Sequence, residues 1–214
     1  MPSPKLRKQP SRADGPSAAT LTPPPPPPWI VEARRHLDLR EIKGPRHAPA
    51  ILRMLEALNA PFRDDETAWC GTFAGWCVAA TLPGETLPPD PWASINWLKF
   101  GTGLVTPAHG CIGVFWRGAP SSWQGHVGFL VGQDRGGYHV LGGNQSDAVT
   151  VARIARSRPR PGGLRWPADF VFPPSPLPMQ APSGTLPVNE ALEARRVRPR
   201  THPHPSPARP TPHR

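Results

Sequence analysis

The chain has 214 residues, of which 34 are proline, about 16% and roughly three times the ordinary share. No run approaches the ~18 apolar residues of a transmembrane helix, glycine has no collagen period, and three cysteines are too few for a disulfide scaffold. The net charge is +10, with +3 on residues 1–28, +3 on 29–172 and +4 on 173–214. Ten prolines crowd residues 1–28 and twelve crowd 173–214, while all eight tryptophans and all three cysteines lie between. This predicts one compact domain over 29–172, large enough to bury a core. Disordered, basic, proline-rich tails are expected over 1–28 and 173–214. Lys5, Arg7 and Lys8 are followed by no apolar stretch, so no standard secretory signal is expected.

Pro23 to Pro28 read as a polyproline II rod. Helical spacing follows, with Trp29, Ile30, Ala33 and Leu37 on one face, and Gly44-Pro45 as a stop. Ile51, Met54, Leu55 and Leu58 mark a second helix, ended by Pro61. A third is expected to start near Asp64 or Asp65 as N-cap, with Cys70, Phe73, Ala74 and Cys77 sharing a face and Pro83-Gly84 as the stop. A short helix is expected over Ala93–Phe100. After Gly110 the period changes to that of strands: Cys111–Trp116, Val127–Gly132, Tyr138–Gly143, Ala148–Ile154 and a short Leu164–Trp166. Helices first and an antiparallel sheet second is an α+β layout.

The hairpin Gly125–Asn144 carries the chemistry. With a loop over Gln133–Gly137 and Gly132 opposite Tyr138, His126 falls opposite Asn144. Directly opposed side chains sit about 5 Å apart at Cβ, so the Asn144 amide oxygen would accept an imidazole N–H and fix its tautomer. Gly128, Leu130, Val140 and Gly142 share that face and leave it shallow, while Val127, Phe129, Val131, His139 and Leu141 face the core. Cys70, near a helix start, supplies a thiol whose pKa the helix end and an imidazolium would lower. Cys, His and Asn together form a known variant of the nucleophile–base–orienter triad. Cys77 and Cys111 read as buried small hydrophobes. A zinc site is disfavoured because the cysteines at 70 and 77 lack the short ligand knuckle. A Cys70–Cys77 disulfide would span ~10 Å of helix, beyond the reach of the bond.

The words Asp64-Asp65-Glu66-Thr67-Ala68-Trp69-Cys70, Phe73-Ala74-Gly75-Trp76-Cys77, Gly125-His126-Val127-Gly128-Phe129, Leu141-Gly142-Gly143-Asn144-Gln145-Ser146-Asp147 and Arg165-Trp166-Pro167 occur in this order. Together with Trp29-Ile30-x-x-Ala33-Arg34 and Glu41-Ile42-x-Gly44, they resemble small bacterial and phage members of the NlpC/CHAP group of papain-like cysteine peptidoglycan hydrolases. The resemblance covers Trp29 to Pro167. It implies a papain-like fold in which a cysteine-bearing helix packs on a histidine-bearing antiparallel sheet. It further implies an endopeptidase or amidase that cleaves an amide bond in cell-wall peptides. Cys70 would be the nucleophile, His126 the general base and acid, and Asn144 the orienter. The chain departs from the group in placing Trp69, rather than a small or acidic residue, beside the cysteine.

Trp69, Trp97, Trp116 and Trp123 are candidates to line a substrate groove, with packing in the core or rim as the alternative for each. No metal or other cofactor is expected. The expected partner is peptidoglycan, met by a monomer, with the basic tails anchoring to an anionic wall or membrane surface. The expected setting is the producer's cytoplasm, followed by release or non-standard export. A catalytically inactive wall- or protein-binding module on the same fold is the alternative. Nucleic-acid binding through the tails ranks last, because the domain lacks the aromatic-basic interleaving of the usual modules.

Overall fold

The computed structural model describes residues 25–180. The disorder expected of residues 1–24 and 181–214, including the start of the Pro23–Pro28 rod, lies outside that range. Three α-helices lead, α1 (Pro28–Arg35), α2 (Pro49–Ala57) and α3 (Cys70–Thr81), followed by a 3-10 helix over Ser94–Lys99. Six strands follow: β1 (Thr102–Gly103), β2 (Ile112–Trp116), β3 (Gly125–Gln133), β4 (Gly137–Gly142), β5 (Thr150–Ala155) and β6 (Pro159–Trp166). They form one antiparallel sheet in the order β1-β6-β2-β3-β4-β5. The α+β layout read from the sequence is the one observed. Among the described residues no helix is long and apolar enough to cross a membrane.

The helix starts follow local chemistry. Both α1 and α2 begin on proline, whose missing N–H would have no partner in a first turn anyway. Pro28, expected to end the rod, is thus the first residue of α1. Trp29, Ile30 and Ala33 are fully buried. The Trp29 indole donates to Gly110 O at 2.8 Å and meets Trp166 and Phe170 edge-on, tying α1 to both ends of the sheet region. Leu37, expected on the same face, lies past the helix end and is exposed.

Helix α3 does not follow the one-faced pattern expected of it. Gly71, Thr72, Gly75 and Val78 are buried along with Cys70, Phe73, Ala74 and Cys77. Helices α1 and α2 pack on one side of it and strands β3 and β4 on the other, so it runs through the interior. Such a helix is apolar all round. Its start also differs from expectation. Neither Asp64 nor Asp65 caps it; Trp69 is the N-cap residue and its side chain makes no capping bond. Asp65 instead is fully buried and accepts from Ala48 N (2.7 Å), Ile42 N (2.8 Å) and His47 Nδ1 (2.9 Å), stitching the loop after α1 to the approach of α3.

The β3–β4 register matches expectation at Phe129–Leu141 and Leu130–Val140, then shifts by one residue at Val131. The shift pairs Gln133, not Gly132, with Tyr138, so the turn is shorter than the expected Gln133–Gly137 loop. Asp134 builds that turn by accepting from Gly136 N (2.7 Å) and Gly137 N (3.0 Å). Both faces of β3 and β4 are buried, so the face expected to be shallow is as dry as its opposite. Strand β6 is longer than the expected Leu164–Trp166, because Pro159, Pro161, Gly162 and Gly163 hide its first half from any propensity reading. The domain also runs past residue 172. Pro176 and Met179 bridge to Ala108 and Gln133, and Leu177 is buried, so residues 173–180 belong to the folded unit rather than to a tail.

A buried polar cluster fastens that last segment. Asp134 takes a two-pronged bond from Arg153 (both 2.7 Å) and a third contact from His139 Nε2 at 3.0 Å. His139 Nδ1 lies 2.6 Å from Gln180 Oε1. Arg153 and His139, with the Gly136 amide, hold the Asp134 carboxyl well below the usual carboxylate range. A depressed carboxyl contributes stability that is complete above its unfolded pKa and fades as pH falls through the folded one. Asp134→Asn should therefore lower the melting temperature at pH 7 and flatten the loss of stability below about pH 4. Thermal unfolding across that range checks it, and an unchanged acid limb would contradict it.

Candidate active site

Two adjacent glycines set the geometry. A Cβ on Gly143 would stand 2.5 Å from the Trp69 ring and 2.6 Å from Phe73 Cβ, and one on Gly142 would stand 3.2 Å from His126 Nε2. Trp69 and Phe73 flank Cys70 at the start of α3. The bare backbone of Gly142 and Gly143 thus lets the cysteine-bearing helix start and the imidazole close on successive residues of one strand end. Cys70 and His126 are each 4% exposed, so bulk water has little access to either.

His126 is held on three sides. Its ring lies over Phe115, its neighbour across β2, with planes 27° apart. Its Nε2 is 3.0 Å from Gln145 Oε1, and its Nδ1 is 3.3 Å from an Arg117 Nη2. The Gln145 amide can point only one way. Its Nε2 donates among Thr150 O (2.6 Å), Val140 O (3.2 Å) and Gly142 O (3.2 Å), all acceptors, which leaves the oxygen for the imidazole. His126 is therefore protonated on Nε2, and its lone pair is on Nδ1.

The orienting amide is Gln145 and not Asn144. Strand β4 ends at Gly142, and Asn144 turns into the left-handed region at φ 54°. The pairing that would have carried it opposite His126 is broken by that turn. Asn144 Nδ2 donates instead to Thr67 O at 3.4 Å, on the approach to α3. Gln145 stands one residue along in the same word, and its own backbone N–H bonds Ala148 O at 2.9 Å to close the turn that aims it. The tryptophans divide. Trp69 and Trp97 are fully buried, with their indole N–H groups directed at Glu41 and Pro91 O, so neither lines a groove. Trp116 is half-buried under the Arg158 guanidinium, 4.0 Å from its ring centre. Trp123 alone of the candidate groove residues stands free, 80% exposed on the loop that leads into His126.

Electrostatics separate the cysteines and define the histidine. Burial pushes the Cys77 thiol well up and the Cys111 thiol up to about 12, so both stay protonated. Burial, joined by the Arg117 charge and opposed by the Gln145 bond, pushes His126 down to about 3. None of the three cysteines is in a disulfide. Among the described residues no group of three or more His, Cys, Asp or Glu side chains is placed to hold a metal ion. Comparison with protein families, curated proteins and solved structures finds no match for this chain.

Two outcomes follow from this geometry. The His126 ring should stay neutral through pH 8 to about 5 in an NMR titration, and a midpoint near the free value of about 6.5 would contradict the buried, guanidinium-capped ring. A histidine neutral when folded takes up its proton on unfolding, so it subtracts up to ~1.4 kcal/mol of stability per pH unit as pH falls below about 6.5. Gln145→Leu strands three carbonyls and the imidazole N–H, and should cost about 2 kcal/mol in urea unfolding. Asn144→Ala should cost less than about 1 kcal/mol, since its bond is long and half-buried.

Proposed function

We propose that the protein is a papain-like cysteine hydrolase of cell-wall peptides, acting as an endopeptidase or amidase on an amide bond. The observation that carries this reading is the imidazole fixed by an amide at the strand end against which the Cys70 helix start packs. That is the order of parts a thiol hydrolase requires: nucleophile, base, orienter. The resemblance of the sequence words to the NlpC/CHAP group supports the choice of substrate.

The reaction would begin with transfer of the Cys70 proton to His126 Nδ1. The thiolate then attacks the peptide carbonyl, and backbone N–H groups at the start of α3 face the developing oxyanion. The imidazolium returns its proton to the leaving amine, and water cleaves the thioester with the same nitrogen as base. Gln145 holds the ring in register throughout, the part first expected of Asn144. Trp123 offers the incoming peptide or sugar an open aromatic face. The net charge of +10 favours an anionic polymer as the surface on which the protein works.

One observation favours a second reading. In this conformation Arg117 covers the lone pair His126 would need as a base. A protein that binds wall peptides without cutting them would be free to keep it there. Digestion of purified sacculi under reducing conditions, followed by mass spectrometry of the released peptides, separates the two. Hydrolysis is expected from the natural chain, with Cys70→Ala and His126→Ala each losing at least about 10³-fold. Intact sacculi in every case, with binding unaffected by Cys70→Ala, would leave the binding module standing.

A further inference from the structure

We propose that Arg117 reads a carboxylate on the substrate and, in turning to it, uncovers the imidazole of His126. The inference rests on the thiol-hydrolase reading and adds to it a substrate class and a condition for activity.

The need for such a step comes from hydrogen-bond bookkeeping on one ring. Gln145 Oε1 holds Nε2, and a flip of its amide would turn that oxygen onto the carbonyls of Val140, Gly142 and Thr150. Phe115 stacks on the ring, and Gly142 lies tight against it. The ring therefore cannot turn over to offer the other nitrogen. Nδ1 is the single basic atom, and an Arg117 N–H donates to it at 3.3 Å. A base whose lone pair is occupied by a cationic donor cannot take a proton from a thiol. Arg117 must leave before His126 can act.

The same geometry shows what would draw it away. A bond of 3.3 Å to a neutral ring nitrogen is long for a guanidinium. A carboxylate offers two oxygens in the fork spacing that arginine prefers, with charge assistance on both. Arg117 has its backbone N–H tied to Gln124 O at 3.1 Å, which holds the main chain, and its side chain is half-exposed. It opens the loop that carries the exposed Trp123 and ends beside His126. Arg160, itself buried, braces that loop by donating to Pro120 O, Ser122 O and Gln124 O. A peptide with a free carboxylate close to its scissile amide meets the aromatic face and the guanidinium on one short segment. An amidated peptide meets only the first.

The test uses the full chain and the labelling rate of Cys70 by neutral iodoacetamide, read by mass spectrometry on the peptide containing it. The probes are N-acetyl-alanyl-alanine with a free carboxylate and the same dipeptide with a C-terminal amide. The carboxylate probe should accelerate labelling about tenfold and the amide should not. Arg117→Gln should label about tenfold faster than the natural chain without any probe and respond to neither. Arg117→Lys, which keeps the charge and loses the fork, should stay slow and respond weakly. Equal response to the two probes overturns the proposal, and so does an Arg117→Gln chain that folds yet labels no faster. If Arg117→Gln does not fold, the two probes on the natural chain decide alone. Sacculus digestion is scored separately. Digestion with no carboxylate dependence of labelling removes the gate and leaves the hydrolase. Carboxylate-dependent labelling without digestion removes the hydrolase and leaves Arg117 as a carboxylate reader.

Discussion

The bond between the Gln145 amide and the His126 imidazole is the constraint on which the site is built. It works because the other end of the amide has no choice: three carbonyls from β4 and the start of β5 claim its nitrogen. Two of those carbonyls belong to Gly142 and Thr150, the last pair of the β4–β5 ladder, beyond which the chain enters a run of left-handed residues at Asn144, Ser146 and Asp147. The end of a strand, usually a place where order is lost, here supplies the acceptors that define a tautomer. Remove the turn and the oxygen has no fixed direction, and the imidazole loses its assigned proton.

Around that bond, small residues set how close the layers come. Gly143 admits the Trp69 and Phe73 side chains, and Gly142 admits the imidazole. The helix that carries Cys70 is apolar on every side and enclosed by α1, α2 and the sheet. The nearby His126 imidazole is pushed toward its neutral form by burial and is met by the Arg117 guanidinium.

Much of the fold is legible from residue patterns. The 3.6-residue spacing of Ile51, Met54 and Leu55 marks α2, and the Phe129–Leu141 pairing follows from alternation alone. The failures have specific causes. The extra residue at Val131 shifts the hairpin end, and no local pattern announces a bulge between two valines, a leucine and glycines. Asp65 looked like a helix cap because acids before a helix usually are, yet three distant donors outbid the helix for its oxygens. For the site, Cys70 and His126 were visible as residues, whereas the partner of His126 was assigned by extending a ladder beyond the point where it stops. Arg117 was invisible because it meets His126 across the β2–β3 hairpin, whose long loop conceals the register. Trp69 and Trp97 show the limit of composition: an indole that is fully buried and one that faces solvent are the same letter.

The brace that Arg160 places under the segment from Pro120 to Gln124 has a consequence for recognition. A surface indole on a floppy loop must be frozen at each encounter, and that loss of freedom is subtracted from affinity. Trp123 rides on a backbone whose neighbouring carbonyls are already held by a buried cation, so the main-chain part of that loss was met once, when the chain folded. Whatever stacks on it restricts the indole's own torsions and little of the loop's main chain, and dissociation, rather than capture, becomes the step that distinguishes a good ligand from a poor one.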